Sequence, residues 1–309
     1  MEAQQDRAID FTKHKFPIDN FVECTNVDGK TKLHTYRWPA SEEGKQPKGV
    51  IMMFHGYGSY IGKYAYMARM FVDSGYEVCG IDCMGFGLSE GVRGLIRSQD
   101  EFYRDGANFA HKALEFYAGR FGGDVPVVGW GLSQGGKLVL GVQTLLQQEG
   151  GRGFDALVLN VPNLKVQVGH LSEEFLRDAR ERGDADPLAT IDWPFKPLKD
   201  AAFLAGFVSD PLQFKGPHLA HTWFHNIEIQ DWIKAHYKEI RAPTLLVQAR
   251  DDSVLENAPM DQMMAAIGAE RKETKVYDGD HFLLFDGLAY EAIIHDQVDF
   301  LERVFATQA

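Results

Sequence analysis

The chain has 309 residues, 45% of them hydrophobic and 25% charged, the composition of a globular protein with a large buried core, which excludes a disordered tail or a fibre. Asp and Glu number 44 against 32 Lys and Arg, for a formal charge of −12, so nucleic acid is repelled at long range and is not an expected partner. Three cysteines, Cys24, Cys79 and Cys83, are too few for a disulfide framework or a four-ligand zinc site and are expected as reduced thiols.

The opening residues MEAQQDRAID hold no apolar stretch behind a basic one, so no secretory signal is expected. No window approaches the roughly eighteen uninterrupted apolar residues of a membrane span, and neither end carries a myristoylation or prenylation motif. A cytoplasmic location is the expectation.

In chain order, Phe21–Asn26 and Lys32–Arg37 flank Val27-Asp28-Gly29-Lys30, and an Asp-Gly turn between alternating runs predicts a hairpin. Strands are then predicted over Val50–His55, Val78–Asp82, Val125–Gly129 and Ala156–Val161, with helices between them over Tyr60–Asp73, Gln99–Tyr117 and Gln134–Gln148. Their alternation implies an α/β fold, a mostly parallel sheet with helices on both faces. Residues 164–240 break the rhythm: they are rich in proline (Pro187, Pro194, Pro197, Pro211, Pro217) and in bulky aromatics such as Trp193, Phe203, Trp223 and Phe224. The expectation there is a helical insertion capping the ligand site, since a purely structural layer has less need of so many large aromatics. Strands resume near Thr244–Gln248 and Thr274–Tyr277, with helices near Asn257–Ile267 and Leu288–Phe305. The expected organisation is a core over residues 1–163 and 241–309 with a cap over 164–240.

The sharpest chemical feature is Gly129-Trp130-Gly131-Leu132-Ser133-Gln134-Gly135-Gly136. It contains G-x-S-x-G between a predicted strand and a predicted helix, the context of a nucleophile elbow, in which Ser133 is pushed out over the sheet edge. A serine hydroxyl needs a base within hydrogen-bond reach and a carboxylate to orient that base. Ala249-Arg250-Asp251-Asp252-Ser253 and Tyr277-Asp278-Gly279-Asp280-His281 follow the two late strands and supply both in the order serine, acid, histidine. His281 is the expected base. Asp251 and Asp252 compete for the acid, and Asp252 is chosen, with Arg250 and Asp251 left as a solvated charge pair. An oxyanion also needs donors: the N–H of Gln134 at the helix start and that of Tyr57 in Phe54-His55-Gly56-Tyr57-Gly58 are the candidates. His55 is expected to brace that loop.

These segments resemble the α/β-hydrolase superfamily and, within it, the monoacylglycerol lipase and lysophospholipase-like branch. Asp82-Cys83-Met84-Gly85-Phe86-Gly87-Leu88-Ser89-Glu90-Gly91 is similar to plant members, including caffeoyl-shikimate-esterase-like proteins, and Ser209-Asp210-Pro211-Leu212 matches a recurrent segment of the branch. The resemblance spans about residues 20–305 and also puts the acid at Asp252. It implies a serine hydrolase that cleaves lipid-like carboxylic esters, monoacylglycerol first, through an acyl-enzyme and without cofactor. Two departures stand out: Gln134 occupies a place usually held by Met, and Val161-Pro162-Asn163-Leu164-Lys165 is similar only in outline. The aromatics of 164–240 suit a greasy cleft with transient contact at a membrane surface.

Rival readings are a lysophospholipase, a hydroxycinnamoyl-ester hydrolase, and a non-catalytic ligand-binding receptor on the same fold. His218, His221 and His225 have a spacing that could align three imidazoles, but no carboxylate or cysteine ligand accompanies them and no metal is expected. The glycines at 56, 58 and 62 and at 85, 87 and 91 miss a dinucleotide fingerprint and serve turns.

Overall fold

Residues 15–40, 45–169, 171–191, 207–228, 230–285 and 289–306 are described by the computed structural model. The predicted hairpin is short. Cys24–Thr25 (β1) pairs antiparallel with Lys32–Leu33 (β2) around a turn in which Gly29 takes φ 72°, a conformation that glycine adopts without a side-chain clash. The second run splits at His34, whose N–H donates to Ser89 Oγ at 2.8 Å, and Thr35–Trp38 (β3) leaves for the main sheet.

Four sheet strands follow: Val50–Phe54 (β4), Glu77–Ile81 (β5), Val127–Leu132 (β6) and Ala156–Asn160 (β7). The third lies later than the sequence suggested. Pro126 has no N–H to give a ladder, so pairing starts at Val127, and the strand runs through Gly131, the first elbow glycine, to the residue before Ser133, with Phe54 opposite Gly131. Beyond β7 the insertion contains a short antiparallel pair that the sequence did not reveal, Thr190–Ile191 (β8) with His218–Leu219 (β9). Thr244–Ala249 (β10) and Lys272–Tyr277 (β11) complete a seven-stranded sheet in the order β11-β10-β7-β6-β4-β5-β3, parallel except for β3.

Among the described residues the helices include Ala65–Asp73 (α1), Gln99–Phe121 (α2), Gln134–Gln148 (α3), Glu173–Ala185 (α4), Ala220–Glu228 (α5), Gln230–His236 (α6), Ala258–Ala266 (α7) and Tyr290–Phe305 (α8). The predicted helix from Tyr60 begins instead as a 3-10 turn over Ile61–Tyr64, because the Ile61 N–H is drawn to Asp82 Oδ1 at 2.7 Å. Ser98 caps α2 by accepting from the Glu101 N–H at 3.2 Å, with Asp100 and Glu101 in its first turn, as the helix dipole favours.

From β4 the chain steps through α1 to β5 on one side, then through α2 to β6 on the other. Right-handed crossovers therefore put α1 and α2 on opposite faces, and α3, which continues in the second direction, joins α2. The reversal makes the carboxyl ends of β4 and β6 a topological switch point, where α/β sheets bind ligands. The loop carrying Tyr57 and the turn carrying Ser133 both emerge there. The core beneath is dense: β4 to β7 and β10 are buried along their whole length, and the three cysteines are buried free thiols. No helix among the described residues is long and apolar enough to cross a membrane.

Candidate active site

Ser133 sits between β6 and α3 at φ 55°, ψ −115°, a backbone conformation that costs on the order of 1–3 kcal/mol and persists only where its surroundings impose it. Those surroundings are explicit. A Cβ at Gly131 would stand 2.3 Å from Gly135 O, and one at Gly135 would stand 2.0 Å from Phe54 O, so neither position admits a side chain. The Ser133 N–H donates to Asn160 O at 2.8 Å and its carbonyl accepts from Asn163 N at 2.9 Å. A buried relay holds the strand behind it: Trp130 Nε1 donates to Gln297 Oε1 (2.8 Å), Gln297 Nε2 to Asn160 Oδ1 (2.7 Å) and Asn160 Nδ2 to Gly131 O (3.2 Å).

The loops after β10 and β11 bring Asp252 and His281 to this serine. His281 Nε2 lies 3.0 Å from Ser133 Oγ and its Nδ1 lies 2.9 Å from Asp252 Oδ2. Both Asp252 and His281 are buried, whereas Ser133 is half-buried. A carboxylate at Nδ1 holds the proton there and leaves Nε2 free to accept the serine proton. Asp252 is itself fixed, because its Oδ1 accepts from Val254 N and Leu255 N at 2.9 and 2.7 Å.

Asp251 has a different place. It is exposed, its N–H donates to Gly279 O, and Arg250 pairs with Asp278 at 2.6 Å rather than with Asp251 as the sequence suggested. The two β-strand ends are thus tied across, not along, the chain. Asp280 does not face the imidazole as a second acid: its carboxylate accepts from Ser253 N and Oγ (both 2.8 Å) and from the His281 N–H (2.7 Å). Burial opposes its ionisation, but these donors prevail and hold the carboxyl below the usual carboxylate range.

Sequence reasoning also missed Gln167, whose Nε2 donates to Asp252 O (2.6 Å) and Leu255 O (3.1 Å). The inserted segment therefore braces the acid loop. A lone glutamine between loop residues gives no signal of such a role.

Among the described residues no protein acceptor engages the N–H of Tyr57 or of Gln134. The peptide preceding Tyr57 is oriented through its carbonyl: Gly56 O accepts from Ser59 N at 3.1 Å and faces His55 Nδ1 at 2.8 Å. His55 Nε2 accepts from the Cys83 N–H at 2.9 Å, so the ring must carry its proton on Nδ1 and donate it to Gly56 O. Burial lowers the His55 pKa to about 4, which keeps this bracing ring neutral. The Tyr57 ring packs against Phe86, Phe214, His218 and Trp223 at centroid distances of 5.4 to 6.1 Å, the last three from the insertion. The side-chain oxygens of Tyr57 and Gln134 are buried without a hydrogen-bond partner among the described residues.

The remaining motif residues are structural. Asp82 is buried and its carboxylate takes Tyr36 OH, Ile61 N and Leu88 N at 2.7, 2.7 and 2.8 Å; burial nevertheless pushes its pKa up to about 7. The three histidines do not share one helical face as their spacing allowed. His218 lies in β9 beside Tyr57, while His221 and His225 lie in α5 with ring centroids 4.2 Å apart, and His221 Nε2 is bonded to Arg97 O at 3.0 Å. Of the large aromatics expected in the insertion, Trp193 and Phe203 lie outside the described residues.

Residues 45–287 match the Hydrolase_4 family, described as serine aminopeptidase S33. The chain is 24% identical over 252 residues to a monoacylglycerol lipase of Mycolicibacterium smegmatis, covering 81% of this chain and 86% of that one. It is 22% identical over 292 residues to the human monoglyceride lipase, covering 88% and 86%. The fold superposes on a soluble variant of monoglyceride lipase from Saccharomyces cerevisiae with a TM-score of 0.77 at 17% identity, over 94% of this chain and 99% of that one. The chain belongs to the Hydrolase_4 (serine aminopeptidase S33) family and is an α/β-hydrolase of the monoacylglycerol-lipase-like branch.

Proposed function

We propose that the protein is a serine hydrolase that cleaves carboxylic esters of lipid-like substrates, with monoacylglycerol as the first of them. Ser133 Oγ attacks the acyl carbonyl while His281 Nε2 takes its proton. The N–H groups of Tyr57 and Gln134 hold the oxyanion, and His281 returns the proton to the departing alkoxide. Water then attacks the acyl-enzyme by the same route and releases the acid. Asp252 keeps the imidazole in the tautomer the cycle needs and stabilises it when protonated. The observation that carries this reading is the hydrogen-bonded chain from Ser133 Oγ through His281 to Asp252, at 3.0 and 2.9 Å.

Residues 164–240 act as a cap over the site. In support, Phe214, His218 and Trp223 from the insertion pack on Tyr57, which gives the entrance an aromatic wall suited to an acyl chain. The relatives named as monoacylglycerol lipases favour the same substrate class. Leu88, Val92 and Val208 stand exposed, and apolar side chains of this kind suit transient contact with a membrane surface during uptake.

Turnover across one panel tests the substrate class: monoacylglycerols, lysophospholipids, hydroxycinnamoyl esters and, because the family is described by an aminopeptidase, an aminoacyl anilide. Monoacylglycerol should show the highest kcat/KM. Preference for another member reassigns the substrate, and tight binding without turnover of any member would favour a ligand-binding receptor.

A further inference from the structure

The loop that carries Tyr57 is held at both ends by different parts of the molecule. Upstream, the core fixes it: Gly56 N donates to Tyr64 OH at 3.0 Å and Gly56 O is held by His55 and Ser59. Because the peptide is planar and trans, pinning the Gly56 carbonyl also sets the direction of the Tyr57 N–H. Downstream, the hold comes from the insertion. Gly58, at φ 77°, offers its carbonyl to Gln213 Nε2 at 2.6 Å and to the Phe214 N–H at 2.8 Å. Gln213 is in turn fixed by Lys63, whose Nζ donates to Gln213 Oε1 at 2.7 Å. The Lys63 side chain is 1% exposed and its ammonium lies 3.7 Å from Asp210. Asp210 also accepts from Tyr60 OH at 3.0 Å, and the rings of Phe207 and Phe285 lie 5.5 and 5.8 Å from Nζ.

A buried ammonium is costly and is retained only when its partners are well placed. Here its arrangement does one specific thing: it presents an amide of the inserted segment to the carbonyl of Gly58, the residue after Tyr57. We propose that Gln213 is a positioning residue for the oxyanion hole: His55 and Ser59 set the direction of the Tyr57 N–H from upstream, and Gln213, docked on Lys63, fixes through Gly58 O where the Tyr57 backbone stands relative to Ser133. This rests on the serine-hydrolase reading of Ser133. A gap in an electrostatic site is costly because such donors work only at hydrogen-bond distance from the developing charge. Losing the Gln213–Gly58 bond while the Phe214 N–H stays on Gly58 O should therefore slow the chemical step and leave the binding of a ground-state ester against the Phe214 ring unchanged.

Gln213→Glu separates this role from simple stitching of insertion to core. The carboxylate still accepts from Lys63 but cannot donate to Gly58 O. Steady-state kinetics with p-nitrophenyl butyrate should show kcat lower by about 10-fold or more, approaching the ~10²–10³-fold cost of losing a donor outright, with KM within about twofold of the parent. Fluorophosphonate labelling of Ser133 counts the competent sites, so that misfolded protein does not enter kcat. Should that variant fold poorly, the triple variant Lys63→Met, Asp210→Asn and Gln213→Met removes both members of the ion pair together, so that no buried charge is stranded, and should show the same loss. An unchanged kcat in the labelled fraction, or a rise in KM alone, would overturn the proposal. Absence of serine-specific labelling in the parent protein is a separate result, and it would remove the hydrolase reading together with the positioning role.

Discussion

At the scale of single residues, the acid assignment illustrates what sequence can and cannot supply. Asp251 and Asp252 are adjacent and chemically identical, and only the fold separates them. Asp252 is buried with its Oδ2 on the imidazole, whereas Asp251 is exposed. Asp252→Asn should therefore lower kcat by about 10⁴-fold, since an amide holds the wrong tautomer, while Asp251→Asn should stay within about twofold of the parent enzyme because no part of the proton route touches it. Ester turnover of the two variants side by side checks this, and equal losses would mean that the acid loop is held differently. Ser133, by contrast, was legible from its neighbours. The glycines two places before and after it are the only residues that fit against Gly135 O and Phe54 O, so the pentapeptide encodes the turn as well as the nucleophile.

Elements were legible where a strong period or a stop signal coincided with the tertiary environment. The span of α3 agrees with its predicted limits, and β4 and β5 differ from theirs by single residues at the ends. The start of α1 was not, because a buried carboxylate 21 residues later captures the Ile61 N–H; nor was the pairing of β8 with β9, whose two-residue strands carry no period. The Lys63 cluster is another element-scale feature hidden from sequence, since it joins the 3-10 turn before α1 to the insertion 150 residues away. Burial lowers the Lys63 pKa to about 8 despite Asp210 nearby, with Lys215 adding to the lowering. Between that value and the ordinary one of 10.5, the unfolded chain binds more protons at this site than the folded one, so this site adds stability as pH rises. Relative to Lys63→Met, the native protein should thus gain about 2 kcal/mol of unfolding free energy between pH 7.5 and 9.5. Urea titrations of both proteins at the two pH values measure it; a difference that stays constant or moves the other way would mean that Lys63 is solvated.

For the whole molecule, the α/β class followed from alternation of apolar runs and helical segments, but the location of the site followed from strand order, which no local pattern contains. Reversal of direction at β4 opens the crevice in which the loops of β4, β6, β10 and β11 meet. Four segments spread over some 225 residues, from Tyr57 to His281, thereby converge on one serine. The insertion contributes on both sides of this crevice, through Gln167 beneath the acid loop and Gln213 beside the oxyanion loop. The inserted segment thus contacts both the acid loop and the loop that carries Tyr57.

The central claim, that Ser133 is a nucleophile activated by His281, is tested most directly by intact-mass and peptide mapping after treatment with a fluorophosphonate. One adduct per chain is predicted, on the peptide containing Ser133, lost in Ser133→Ala and slowed by orders of magnitude in His281→Ala. No adduct on the folded protein, or equal labelling of Ser133→Ala, would contradict it.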